Sequence, residues 1–201
     1  MKVAALILAA GSSRRMGSPK ALLRFAEETF LSRIARVLHE GGAHSVAVVV
    51  GGIHRTEIEE AARQLKPALR VIENRAPGEG PITSVRRGIE ETPGVDGYLI
   101  HPVDLPGVEV ADVAAILAAA AAEPGAGGVV PSVDHRRGHP LFLRTNEARK
   151  LLEEPPRFAT VRDLLRDDAI KLAYVLRENG ALLRDFDTPS DLDRDPRAGF
   201  G

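Results

Sequence analysis

The 201-residue sequence contains no cysteine, which excludes disulfides, thiolate metal ligands and a cysteine nucleophile together. It has almost no charge excess, with a formal net charge of −1. Partners such as nucleic acid or an anionic membrane surface call for a basic excess, so any anion must be handled by a local site. No apolar run approaches the ~20 residues of a membrane span. Lys2 followed by Val3 to Ala10 opens like a secretory leader, but the run is short and passes straight into glycine and charged residues. That pattern is a buried first strand, and a cytoplasmic enzyme is the expectation. Lysine is scarce in an arginine-rich background, occurring only at 2, 20, 66, 150 and 171, so Lys20 stands out.

What is present is globular: 44% hydrophobic and 27% charged residues, in a length that suits one domain spanning 1–201. Val3 to Ala9 is continuously apolar, as in a central strand covered on both faces. Phe30, Ile34, Val37 and Leu38 fall at helical spacing and end at Gly41-Gly42. Val46 to Val50 reads as a second strand. Ile58, Ala61, Ala62 and Leu65 mark a helix with Pro67 beyond it, and Leu69 to Ile72 a third strand. Pro81 stands at a helix start ahead of Ile82, Val85 and Ile89. Tyr98 to Val103 is a fourth strand, and Val110 to Leu117 the next helix. Val129-Val130 and Leu141 to Leu143 flank a polar turn, and Thr160 with Asp163 forms a capping box. Leu172 to Leu176 and Leu182-Leu183 read as late strands, a helical turn starts at Pro189, and the polar tail from Asp193 reads as fraying. Alternating strands and helices predict a three-layer Rossmann-like α/β fold with a mostly parallel, mixed central sheet.

Ligands of such sheets bind beyond the carboxyl ends of the strands. There the first strand delivers Gly11-Ser12-Ser13-Arg14-Arg15-Met16-Gly17-Ser18-Pro19-Lys20. Glycine lets backbone approach an anion, consecutive N–H groups make an anion nest, and Arg15 and Lys20 add charge. A surface loop with incidental charges is the plainer reading. The P-loop and the dinucleotide fingerprint are both absent, since Gly17 precedes Ser-Pro-Lys and Gly11 precedes Ser-Ser. Asp104 ends an apolar strand between Pro102 and Pro106, placed to hold magnesium or to cap a turn. Asp185 and Asp187, two apart in an extended stretch, point the same way, and one can reach a metal on Asp104 or serve helix entry at Thr188-Pro189. Gly78 to Ser84 suits a flat base or an ordinary loop. Arg137-Gly138-His139-Pro140 lines an acceptor pocket or makes a hairpin. His101 is a packed strand histidine.

In this order, the features from Leu6 to Lys20, Ser84 to Gly88, Asp104-Leu105-Pro106, Gly138-His139-Pro140 and Asp187 to Asp191 resemble the MobA-like nucleotidyltransferase superfamily over nearly the whole chain. The Ala9-Ala10-Gly11 start is similar to the molybdenum cofactor cytidylyltransferases. The guanylyl enzymes usually carry Ala-Gly-Gly there. The resemblance implies that Arg15 and Lys20 bind the triphosphate, and that Asp104 and Asp187 hold Mg2+. It also implies that Ala9, Ala10, Gly11, Ser12, Ser13, Gly80 and Ser84 surround the nucleotide, with Gly138 and His139 on the acceptor. CTP is the implied donor, and the acceptor is a phosphate-bearing molecule such as molybdopterin, with a molybdoenzyme receiving the product. Leu105 stands where the cytidylyl enzymes usually have Gln, and Gly80-Pro81-Ile82-Thr83 where small residues are usual. The alternatives are a guanylyl or sugar-phosphate transferase and a non-catalytic cofactor chaperone.

Overall fold

The computed structural model describes residues 1–13, 15–66 and 68–199. Arg14 and Pro67 lie outside the described residues, as do Phe200 and Gly201. The first half of the chain runs β1 (Val3–Ala9), β2 (Arg24–Phe25), β3 (Glu28–Thr29), α1 (Phe30–Glu40), β4 (Ser45–Val50), α2 (Arg55–Gln64), β5 (Arg70–Glu73) and α3 (Pro81–Glu91). The second half runs β6 (Gly97–Pro102), α4 (Val110–Ala122), β7 (Gly128–Val133), β8 (Arg136–Arg137), β9 (Leu141–Arg144), α5 (Thr145–Glu153), α6 (Val161–Leu164), β10 (Leu172–Leu176), α7 (Pro189–Asp193) and β11 (Ala198–Gly199).

The main sheet has the order β10-β7-β9-β6-β1-β4-β5, with β8 paired to β7. Neighbours along it are parallel except for the two pairings of β9. The unbroken apolar run of β1 follows from burial on both faces. Val3, Ala5, Ile7 and Ala9 enter one core with α1, α2 and α4, while Ala4 and Leu6 enter the other with α3 and α5. Because β9 is reversed, its start lies beside the carboxyl end of β6, with Leu141 opposite Ile100. Residues just before β9 therefore reach the same rim as residues just after β1 and β6.

Helix starts follow local chemistry. The Thr29 hydroxyl accepts the Ser32 N–H at 3.1 Å to open α1, Pro81 begins α3, and the Thr160–Asp163 box opens α6. Close packing limits some strand positions to glycine. A Cβ on Gly97 would lie 2.5 Å from the Phe142 ring and 2.8 Å from the Leu143 carbonyl. Gly97→Ala is expected to destabilise the fold by about 1–3 kcal/mol through overpacking. A lower denaturant midpoint at unchanged m-value would show it, and an unshifted midpoint would refute it.

Two expectations need correction. Leu182-Leu183 is not a strand but the end of a 3-10 turn, Gly180–Leu183, whose start is fixed by Asn179 accepting the Ala181 N–H. Residues from Asp193 to 199 do not fray. The buried Asp195 carboxylate accepts from Arg184 at 3.2 Å and Arg197 at 2.8 Å, and β11 pairs with β2 in a small sheet β11-β2-β3.

Candidate active site

The carboxyl ends of β1 and β6 and the approach to β9 open into one cleft of about 970 Å3. Ala9, Ala10, Gly11, Ser12, Ser13, Arg15, Lys20, Gly80, Ser84, Asp104, His139 and Asp187 all line it. Gly138 does not. Its N–H donates to the Pro131 carbonyl at 2.8 Å, and a Cβ there would fall 3.0 Å from the Leu182 carbonyl. The position is small because the hairpin lies against the 180–183 turn.

The loop after β1 folds on itself. The Ser13 carbonyl accepts the N–H groups of Met16 at 3.0 Å and Gly17 at 3.2 Å, and its hydroxyl accepts the Lys20 N–H at 3.2 Å. Met16 is buried and anchors the loop in the core. Ser13 and Gly17 adopt φ of +46° and +73°. For a serine that conformation costs on the order of 1–3 kcal/mol, a kind of strain concentrated at functional sites.

Lys20 is the hub of the cleft. Its ammonium donates to Asp104 Oδ2 at 3.1 Å and to Asp187 Oδ1, while Arg15 Nη2 donates to Asp187 Oδ2 at 2.8 Å. Burial opposes the charge on Lys20, but the two carboxylates outweigh it and raise its pKa above the ordinary lysine value. The hydrogen bond from Lys20, more than the Arg15 contact, holds Asp187 below the ordinary carboxylate range. The acids are brought together by backbone. The Phe186 N–H donates to the Asp104 carbonyl at 3.0 Å, and the Phe186 ring sits edge-on to Phe25 and Phe30 in the core. Asp191 then fixes the segment by accepting the N–H groups of Asp187 at 3.0 Å and Thr188 at 2.8 Å.

The opposite loop is stiffened by the buried Asn74, whose amide donates to Thr83 Oγ1 and Ser84 Oγ, each at 2.9 Å, with Gly80 turning at φ +103°. His101 is fully buried. It meets the Leu105 carbonyl at 3.0 Å and has the His139 ring edge-on at 6.4 Å. Burial, and then His139, push its pKa down to about 3. Its contact is with the turn that follows Asp104. Burial also lowers the pKa of His139.

A family model of the MobA-like NTP transferase domain matches residues 5–172. The chain belongs to the MobA-like NTP transferase family. This MobA-like domain is 33% identical over 162 residues to a probable molybdenum cofactor guanylyltransferase of Bacillus mycoides, covering 78% of the chain and 76% of the relative. It is 30% identical to the nicotine blue oxidoreductase of Paenarthrobacter nicotinovorans over 70% of both chains. In fold it matches a Mycobacterium tuberculosis protein at TM-score 0.79 and 24% identity, covering 96% of each chain. Another crystal structure of that protein is a manganese complex, at TM-score 0.75 and 21% identity over 96% and 97% of the chains.

The MobA-like domain is a nucleotidyltransferase by family, and its acid pair suits a hard divalent cation. Asp104 and Asp187 supply only oxygen donors, and among the described residues no three of His, Cys, Asp and Glu converge. Magnesium takes one or two carboxylates and fills its other positions with phosphate oxygens and water. Arg136 and Arg162 also line the cleft, and nothing local in the sequence marks them. An arginine in an arginine-rich chain carries no local signal.

Proposed function

We propose that residues 1–201 act as one cytoplasmic nucleotidyltransferase domain that moves a nucleoside monophosphate from an NTP to the phosphate of molybdopterin, releasing pyrophosphate. The product would pass to a molybdoenzyme. The observation that carries this reading is the meeting of the Gly11–Ser13 loop, Lys20, Asp104 and Asp187 in one cleft. An acceptor phosphate oxygen attacks the α-phosphorus in line. A new oxygen–phosphorus bond forms as the α–β bridge breaks, and the bridging oxygen leaves on pyrophosphate with the electron pair. The attacking oxygen is already anionic, so no general base is required. Such chemistry rests on positioning and charge neutralisation.

Lys20 and Arg15 are held near the loop by the carboxylates and would exchange these partners for triphosphate oxygens. Asp104 and Asp187 would hold magnesium, which when bound neutralises charge on the reacting phosphates. The manganese complex of the M. tuberculosis fold relative supports a divalent cation in this fold.

CTP is the donor we favour. The Ala10 methyl lines the cleft and is backed by Gly51, where an added Cβ would come within 3.2 Å of it. A methyl at this position, where the guanylyl enzymes usually carry glycine, is the feature by which the loop resembles the cytidylyl enzymes, and it supports a pyrimidine donor. GTP is the second reading, on the names of the sequence relatives. Pyrophosphate release from the four NTPs with molybdopterin or sugar phosphates separates these readings. We expect release with CTP and molybdopterin, and Ala10→Gly to shift preference toward GTP by about tenfold, the worth of a methyl in a tight pocket. Absence of release with every pair would refute the transferase reading. Reduction of nicotine blue without release would favour an activity like that in the name of its oxidoreductase relative instead.

A further inference from the structure

Among the described residues, five cationic side chains and three carboxylates line the cleft, an excess of two positive charges in a chain whose net charge is −1. The ion pairs within it lie on the side of the β1 loop, where Lys20 and Arg15 meet Asp104 and Asp187. The excess sits elsewhere. Arg136 and Arg162 line the cleft without an acid partner among the described residues, whereas most other arginines are tied to carboxylates or carbonyls.

The fold fixes where these arginines stand. Going from β1 across β6 and β9 to β7, whose hairpin carries Arg136, takes three strand steps, or about 14 Å at ~4.8 Å each. The base-side residues Gly80 and Ser84 belong to α3 and its approach, and Asp104 marks the middle, after β6. A nucleotide lying from α3 to the β1 loop leaves the β7 side for a second molecule. The hairpin there is built with strain. Asp134 and His135 turn it at φ +48° and +62°, a two-residue turn that usually takes Asn-Gly. Arg136 follows at once. Arg137 braces the same wall, donating to the Tyr174 hydroxyl at 2.5 Å and to the Leu165 carbonyl at 3.3 Å just beyond α6, the helix that carries Arg162.

We propose that Arg136 and Arg162 form the anion subsite that seats the acceptor's phosphate against the α-phosphorus of the nucleotide. The inference rests on the transferase reading. It explains how one anion approaches another: the triphosphate is neutralised on one wall and the incoming phosphate on the other. Guanidinium groups suit this because their paired N–H donors match phosphate oxygens.

The test uses the full chain with Arg136→Gln, Arg162→Gln, the double variant and the two Arg→Lys controls, all checked by thermal melting. With CTP saturating, each Gln variant is expected to raise the acceptor KM about tenfold, the worth of one charge-assisted phosphate contact. The CTP KM and kcat are expected to hold, and the Lys variants to recover part of the loss. An unchanged acceptor KM overturns the proposal. So does a CTP KM that rises as much as the acceptor KM, which would assign the arginines to the triphosphate. Binding of radiolabelled inorganic phosphate, in the presence of a non-hydrolysable CTP analogue, decides the subsite even if no acceptor turns over. Binding by wild type and loss in the double variant support the subsite while the transferase reading fails separately. Equal binding by both proteins, or none by wild type, overturns it.

Discussion

Replacing Asp104 with asparagine is expected to lower kcat/KM for pyrophosphate release by about a thousandfold, the upper end for one group facing transition-state charge. Asparagine keeps the volume and can still accept from Lys20, but it loses the charge that would hold a divalent cation. The fold should be nearly untouched. The Asp104 carbonyl still accepts the Phe186 N–H, and the partly buried Lys20 keeps its ion pair with Asp187 as well as an amide oxygen at position 104. Wild-type-like melting with collapsed turnover is therefore the expected pair of results. Activity within about tenfold of wild type, a barrier change of only ~1.4 kcal/mol, would remove Asp104 from the chemistry.

Lys20→Met should move two measurements in opposite directions. Turnover is expected to fall by about 10²–10³, because the ammonium that would neutralise the triphosphate is gone. Mn2+ binding without nucleotide, followed by electron paramagnetic resonance, is expected to tighten severalfold, since about 1 kcal/mol of competing ion pairing at Asp104 and Asp187 is removed. An ammonium and a divalent cation cannot both occupy the point where the two carboxylates meet. Weaker Mn2+ binding in the variant would show that Lys20 and the metal do not share that point.

Much of this arrangement is legible in the sequence because its signals are local. The apolar run of β1 leading to Gly11, the strand end at Asp104, the capping pair at Thr160 and the helix entry at Thr188-Pro189 each declare themselves within a few residues. The centre of the site is also marked, since Lys20 is one of only five lysines. What escapes is what depends on distance or on very short elements. β2, β3 and β11 are two residues long and carry no periodicity, so the small sheet they form has no trace in the sequence. α5 hides its few apolar positions, Ala148, Leu151 and Leu152, among charges, and Leu182-Leu183 is too short to tell a strand from a turn. The bridge from Lys20 to Asp187 spans 167 positions, and no spacing rule reaches that far. Arg162 becomes visible only when α6 is placed on the rim of the cleft.

The position of Asp187 has a consequence for synthesis. It follows every strand of the main sheet in the chain, and Phe186, which locks it in place, packs on Phe25 and Phe30 from the beginning. A growing chain on the ribosome can pair β1 with β4 and β6 long before Asp187 emerges. Lys20 then waits with one carboxylate partner, and the second arrives after the sheet is built. Most of the main sheet can thus be paired before the acid pair proposed to hold a cation is complete.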